Sequence, residues 1–219
     1  MSDLVSLIMM VVFITGILLL LALQPSTGFA TTGMKFRRAI PSSWRLSEFL
    51  KMKTNPRTLN QYYYFSEEKV RSLGHRFIGR LDGAVLHHEK TPVLDLIVEY
   101  KFPLKQLPKQ ARPEDIFQSG LYTLALLESG VSCTSTRLVT IYCLQDRAKT
   151  CFEKKSKRDC WHCSDGKTFV NRFRQKRVLR NLERLDEVWY KGRQPNPSQK
   201  RITCRVCPYS KGKCNYSLV

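Results

Sequence analysis

Apolar positions along the chain fall into one long block and then several shorter ones. The block, Leu4 to Leu23, holds 20 consecutive residues without a charge. At about 1.5 Å per helical residue it is long enough for a hydrocarbon core of about 30 Å. A polar stretch with Pro25, Gly28, Thr31, Thr32 and Gly33 follows and reads as a linker. Leu46, Phe49 and Leu50 recur at helical spacing behind Ser43, a suitable N-cap, and predict a helix over Ser43–Lys53. Gln61 to Phe65 is aromatic and fits either the core or a nucleic-acid surface. The runs Arg76–Leu86 and Val93–Lys101 predict strands, and Glu114–Ser129, closed by Gly130, predicts an apolar helix. A further strand over Arg137–Leu144 completes a β-β-α-β core. Lys167–Lys191 then reads as a long basic helix, Gln194–Ser198 as a hinge, and the remainder as a cysteine-bearing tail.

The flanks of the long block decide how it is read. Only Met1, Ser2 and Asp3 precede it, without the basic residues that a secretory signal carries, although Phe29-Ala30 mimics a cleavage site. Lys35, Arg37 and Arg38 come just after it, and the positive-inside rule then puts the C-terminal bulk in the cytoplasm. The expectation is a single-pass membrane protein with its large domain cytoplasmic. Its parts are a transmembrane anchor over 1–24, a linker over 25–42, a globular domain over 43–193 and a cysteine-rich segment over 194–219 packed on that domain. A globular part of about 180 residues can bury one sizeable core.

Charge narrows the partners. The 37 Lys and Arg outweigh 18 Asp and Glu, a formal +19 to which the apolar block adds nothing. A surface of that sign attracts polyanions, chiefly nucleic acid and secondarily the anionic lipid heads beside an anchor. Between Arg147 and Arg184 there are 13 basic residues against four acidic ones, with Phe152, Trp161, Phe169 and Phe173 interleaved. That mixture suits phosphate tracking with base stacking. The plainer reading of the same stretch is a solvated basic helix face.

The candidate chemistry lies on the two predicted strands. Asp82 sits in Gly79-Arg80-Leu81-Asp82-Gly83, and Glu99 and Lys101 close the run from Val93 to Lys101. Alternate strand residues share a face, so Glu99 and Lys101 project side by side while Tyr100 points away. A charge at the end of a buried strand costs several kcal/mol unless it is paired or metal-bound. Two carboxylates and a backbone carbonyl make an oxygen cage for a hard divalent cation, beside which a lysine can orient water. Taken singly each part has a plainer reading: a turn aspartate, a strand salt bridge, and a Gln118–Tyr122 pair on one helix face.

The order Gly79-x-x-Asp82, Glu99-x-Lys101 and Gln118-x-x-x-Tyr122 resembles the PD-(D/E)XK nuclease superfamily. It is closest to the RecB-like branch and, within that, to the CRISPR-associated RecB-like iron–sulfur exonucleases. The resemblance implies a restriction-endonuclease-like mixed β-sheet with flanking helices. It implies Mg2+ or Mn2+ held by Asp82, Glu99 and the Tyr100 carbonyl, with Lys101 as the catalytic lysine and Gln118 and Tyr122 contacting substrate or buttressing it. His75, just before the strand of Asp82, is a candidate additional ligand. His87 and His88 read as edge or turn residues. The implied activity is metal-dependent hydrolysis of DNA, single-stranded and from an end; the alternative is an inactive, membrane-tethered nucleic-acid-binding protein on the same scaffold. A third reading gives the basic surface to anionic lipid.

All eight cysteines lie after residue 132, which in a cytoplasmic protein favours metal ligation over disulfides. Cys204, Cys207 and Cys214 are similar to the closing triplet of the exonucleases' 4Fe-4S segment. Those proteins take a fourth cysteine from near the start of the domain, but here Asn55 stands at that position. Cys163, from Cys160-Trp161-His162-Cys163, is the candidate replacement. Cys160, Cys163, Cys204 and Cys207 would equally form a zinc site. Cys133 and Cys143 read as small core residues, and Cys151 is open.

Overall fold

The computed structural model describes residues 6, 9–16, 27–53, 61–154, 157–194, 200–208, 210 and 214–219. The expected anchor falls largely outside that set. Its described part, residues 9–16, is helical and exposed, and eight helical residues extend only about 12 Å. Among the described residues no helix is long and apolar enough to cross a membrane. The expected single-pass membrane localisation is therefore not supported.

Two compact units divide the chain, Met1–Val178 and Leu179–Val219, a boundary well before the hinge that the sequence predicts. The first unit starts with helix α1 (Thr27–Arg38), strand β1 (Ile40–Pro41) and the one-turn helix α2 (Leu46–Phe49). Three antiparallel strands follow, β2 (Tyr63–Ser72), β3 (Phe77–His88) and β4 (Pro92–Lys101). Helix α3 (Pro113–Glu128) carries the chain over to β5 (Arg137–Cys143), parallel to β4. After α4 (Gln145–Lys154) and a 3-10 turn (Lys157–His162), β6 (Gly166–Arg172) pairs antiparallel with β5. The result is a six-stranded mixed sheet ordered β1 to β6, with β1 parallel to β2. Helix α5 (Gln175–Trp189) runs across the boundary between units. The second unit holds α6 (Arg201–Val206), and in it Arg193 pairs with Glu187 at 2.7 Å.

Both faces of the sheet are covered, which is why β4 reads as a continuous apolar run instead of an alternating one. On one face Leu86, Leu94, Ile97 and Leu138 pack with Phe49 of α2 and Ala125 and Leu126 of α3. On the other, Val85, Leu96, Val98 and Ile141 pack with Phe36 of α1 and Trp161 of the 3-10 turn.

The segment 27–38 is thus a packed helix where the sequence suggests a linker. Its polar composition hides three contacts: Phe29 and Phe36 lie 5.2 and 5.5 Å from the Trp161 ring, and Gly33 abuts that same indole. Strand β6 occupies the start of the predicted basic helix, because Val170 packs against the sheet while its charged neighbours stay at the surface. The helix expected over Ser43–Lys53 shrinks to one turn. β2 extends seven residues beyond the aromatic stretch, and its polar half conceals this because Glu67, at φ 56°, interrupts the alternation. β3 runs on through His87 and His88, so both are buried strand residues and not turn residues. The His87 ring bonds Asp95 through Nδ1, and Asp95 also takes the Lys35 ammonium from α1.

If α1 were a solvated linker, Gly33→Ala would stabilise it slightly through helix propensity, by up to about 1 kcal/mol. A Cβ at Gly33 would instead stand 2.6 Å from Trp161 Nε1, inside a ring only 3% exposed. The substitution is expected to destabilise the protein by about 1–3 kcal/mol, measured as a lower midpoint in urea. An unchanged or raised midpoint would show that α1 does not pack there.

Candidate functional site

The site forms where β3 and β4 part. Their paired residues end at Gly83 opposite Val98, and beyond that point the Tyr100 N–H donates to Asp82 Oδ2 at 2.8 Å. A side chain thus replaces the main-chain partner that β3 would otherwise supply, which fixes the Asp82 carboxylate beside the end of β4. Gly83 keeps the approach open, since a Cβ there would lie 2.5 Å from the Tyr64 hydroxyl.

Glu99 and Lys101 share a face as alternation requires, and Tyr100 faces the α1 layer. Lys101 Nζ donates to Glu99 Oε1 and to Gln118 Oε1, each at 2.8 Å. The Gln118 amide closes the triangle by donating from Nε2 to Glu99 Oε1 at 2.7 Å, and it also donates to the Tyr122 hydroxyl at 2.8 Å. Gln118 and Tyr122 reach this place because residues four apart lie on one face of α3. Gly79 makes room for the Tyr122 ring, for a Cβ there would stand 2.5 Å from Tyr122 Cε1. The three sequence motifs therefore meet in one continuous set of contacts.

Electrostatics divide the pair. Glu99 is 2% exposed, and its carboxyl is pushed up to about 7, by burial first; the Lys101 hydrogen bond opposes this and the Asp82 charge adds to it. Burial tends to lower the Lys101 pKa, but the Glu99 hydrogen bond and charge, with Asp115 and Asp82, carry it above its ordinary value. Lys101 is a fixed cation at neutral pH. The second Glu99 oxygen, Oε2, is buried without a hydrogen-bond partner among the described residues, as is the hydroxyl of Thr140, which faces Glu99 across β4 and β5. An orphaned buried carboxylate oxygen fits a hard divalent cation, for which Asp82, Glu99 and the Tyr100 carbonyl would be the oxygen donors.

Asp115 belongs to this group and was missed. Its Oδ1 lies 3.7 Å from Lys101 Nζ, and its Oδ2 accepts the Tyr142 hydroxyl. The available signal is its place three residues before Gln118, on the same helix face. His75 is elsewhere: in the turn between β2 and β3, its Nε2 sits 3.4 Å from Glu128, ten residues along α3 from Gln118.

The cysteines that the resemblance groups together fall in different units. Cys163 belongs to the first unit, whereas Cys204, Cys207 and Cys214 belong to the second. Cys160 is pushed up to about 11, by burial first and then by Cys143, Cys163 and Cys151. Among the described residues no group of three or more His, Cys, Asp or Glu is placed to hold a metal ion.

Folding of the metal-free protein lifts the Glu99 carboxyl from 4.5 to about 7. Between those values the folded state holds a proton that the unfolded chain has lost. The stability it contributes is complete below pH 4.5 and disappears as pH rises through about 7. The change is on the order of 3 kcal/mol. Urea melts across that window, compared with Glu99→Gln, should show the wild type losing stability relative to the variant as pH rises. A difference that is flat, or of opposite sign, would remove the buried carboxyl from the account.

No protein-family model matches the chain, and no curated protein matches it. The functional reading rests on the geometry of these residues and on the motifs that they form.

Proposed function

We propose that this protein is a divalent-metal-dependent nuclease that hydrolyses phosphodiester bonds in DNA, with a single strand as substrate. The observation that carries the proposal is the Glu99–Lys101–Gln118 triangle beside Asp82, with one buried Glu99 oxygen left unpartnered. A structural ion pair does not need that arrangement, since a buried pair is satisfied when both oxygens are bonded.

Asp82 and Glu99, with the Tyr100 carbonyl, would hold Mg2+ or Mn2+. When bound, such an ion supplies Lewis-acid stabilisation of charge on the scissile phosphate. Lys101 supplies a fixed positive charge at the same place. Two of its three protons go to Glu99 and Gln118, leaving one to orient the attacking water and to meet the charge that develops on phosphate. Gln118 sets the lysine's direction by gripping both members of the pair, and Tyr122 anchors Gln118. The net charge of +19 draws the polyanion to the site. A cluster at the cysteines enters no step of this scheme.

The rival reading is a nucleic-acid-binding protein on the same scaffold without catalysis, which the basic surface alone would support. Two variants separate them. Asp82→Asn keeps an acceptor for the Tyr100 N–H, and Lys101→Met keeps the apolar stem. Both are expected to melt like wild type while losing at least about a hundredfold in Mn2+-dependent cleavage of single-stranded DNA. Cleavage at the wild-type rate in both would refute the nuclease assignment, and binding without any metal-dependent cleavage by the wild type would favour the rival.

A further inference from the structure

A cavity of ≈ 330 Å³ opens between α3 and the edge strand β6, lined by Gln110, Pro113, Ile116, Phe169, Asn171 and Arg177 among others. Its volume is at the small end of ligand cavities, which run from about 300 to 1,000 Å³. Three observations connect it to the site. Glu99 pairs with Thr140, and Thr140 with Phe169, so one row of residues crosses three strands from the carboxylate to the phenyl ring. At about 4.8 Å per strand, the two ends of that row are about 10 Å apart. The Phe169 ring stands edge-on to Tyr142, with centroids 5.7 Å apart. The Tyr142 hydroxyl bonds Asp115, whose other oxygen is 3.7 Å from Lys101 Nζ. The wall of the cavity is therefore continuous with the setting of the catalytic lysine.

The lining also has a definite chemistry. Phe169 and Ile116 give an apolar wall, half-buried and able to take a flat ring. Asn171 follows Phe169 on the same strand face and carries both donors and an acceptor. Arg177 is exposed at the rim, where a guanidinium can pair with phosphate in a fork. An aromatic wall, an amide and a cation together match a nucleotide: base, base edge and phosphate. Of the four aromatics between Arg147 and Arg184, Trp161 is buried in the core under α1 and Phe173 packs against the other core cluster. Phe152 lies among residues whose side chains are outside the description. Phe169 lines the cavity beside β6.

We propose that this cavity is a subsite for one nucleotide of a single-stranded nucleic acid, its base against Phe169 and its phosphate at Arg177, adjoining the phosphate held at Glu99. The inference rests on the nuclease reading for its orientation, but it makes a binding claim that can fail separately. The probe is a short fluorescein-labelled oligothymidylate, titrated with the full chain by fluorescence anisotropy without added divalent ion. Phe169→Leu keeps apolar volume but removes the flat face, and is expected to weaken binding about tenfold; Phe169→Tyr should restore it. Arg177→Gln should lower the slope of log affinity against log salt by about 0.7, the share of one phosphate contact on a single strand. Phe169→Leu should leave that slope alone. Wild-type affinity and slope in both variants would overturn the subsite. So would tight binding of thymidine monophosphate with no response to the strand, which would assign the cavity to a free nucleotide. Cleavage measured in parallel keeps the two readings apart. Strand binding that depends on both residues, without cleavage, retains the subsite and removes the nuclease. Cleavage with unaltered KM in both variants does the reverse.

Discussion

The candidate site depends on one buried carboxylate held on one side only. Glu99 gives Oε1 to both Lys101 and Gln118, and Oε2 to nothing among the described residues. Leaving a buried acceptor unsatisfied costs on the order of 1–3 kcal/mol, so an arrangement of this kind persists only where the surroundings over-determine it. Here they do. β4 is clamped between β3 and β5, Gln118 is locked by Tyr122, and Tyr122 is seated against the bare backbone of Gly79. The glycine, the glutamine and the tyrosine thus serve the carboxylate through contact, which explains why residues scattered over 40 positions read as one motif.

How much of this was legible in the sequence follows from where the signals are local. Alternation suffices to place Glu99, Tyr100 and Lys101, and helical spacing to place Gln118 with Tyr122, because each depends on only one element's geometry. The core strands β3, β4 and β5 and helix α3 were readable for the same reason. The misses all involve long-range packing. Helix α1 looks polar because its few apolar residues are spent on Trp161, more than 120 residues away. β6 looks like basic helix because an edge strand keeps its charged residues in water. In the sequence Asp115 looks like any first-turn carboxylate, a type that favours a helix N-terminus in any case. Only the fold brings β5 and its Tyr142 against it.

Glu99 Oε2 and Thr140 Oγ1, both without a hydrogen-bond partner among the described residues, sit in the row that leads across the sheet to Phe169. The line ends at the cavity beside β6. A strand of nucleic acid crossing the sheet in that direction would pass the carboxylates, the lysine and the phenyl ring in succession.

β4 also carries a second buried carboxylate, and its separation from the first is a matter of register. Asp95 and Glu99 are four apart, so an unbroken strand would aim both at α3. The register between β3 and β4 shifts instead: Val85 pairs with Leu96 but Leu86 pairs with Leu94, and Asp95 is the extra residue. The bulge turns Asp95 to the α1 face, where it is closed by Lys35 and by His87 Nδ1. His87 is raised above its ordinary pKa, by the Asp95 hydrogen bond first, so this cluster is a satisfied ion pair fastening α1 to the sheet. Glu99, on the other face, has only half of that satisfaction. One strand thus holds a carboxylate that is structurally complete and a carboxylate that is not. A single inserted residue decides which is which.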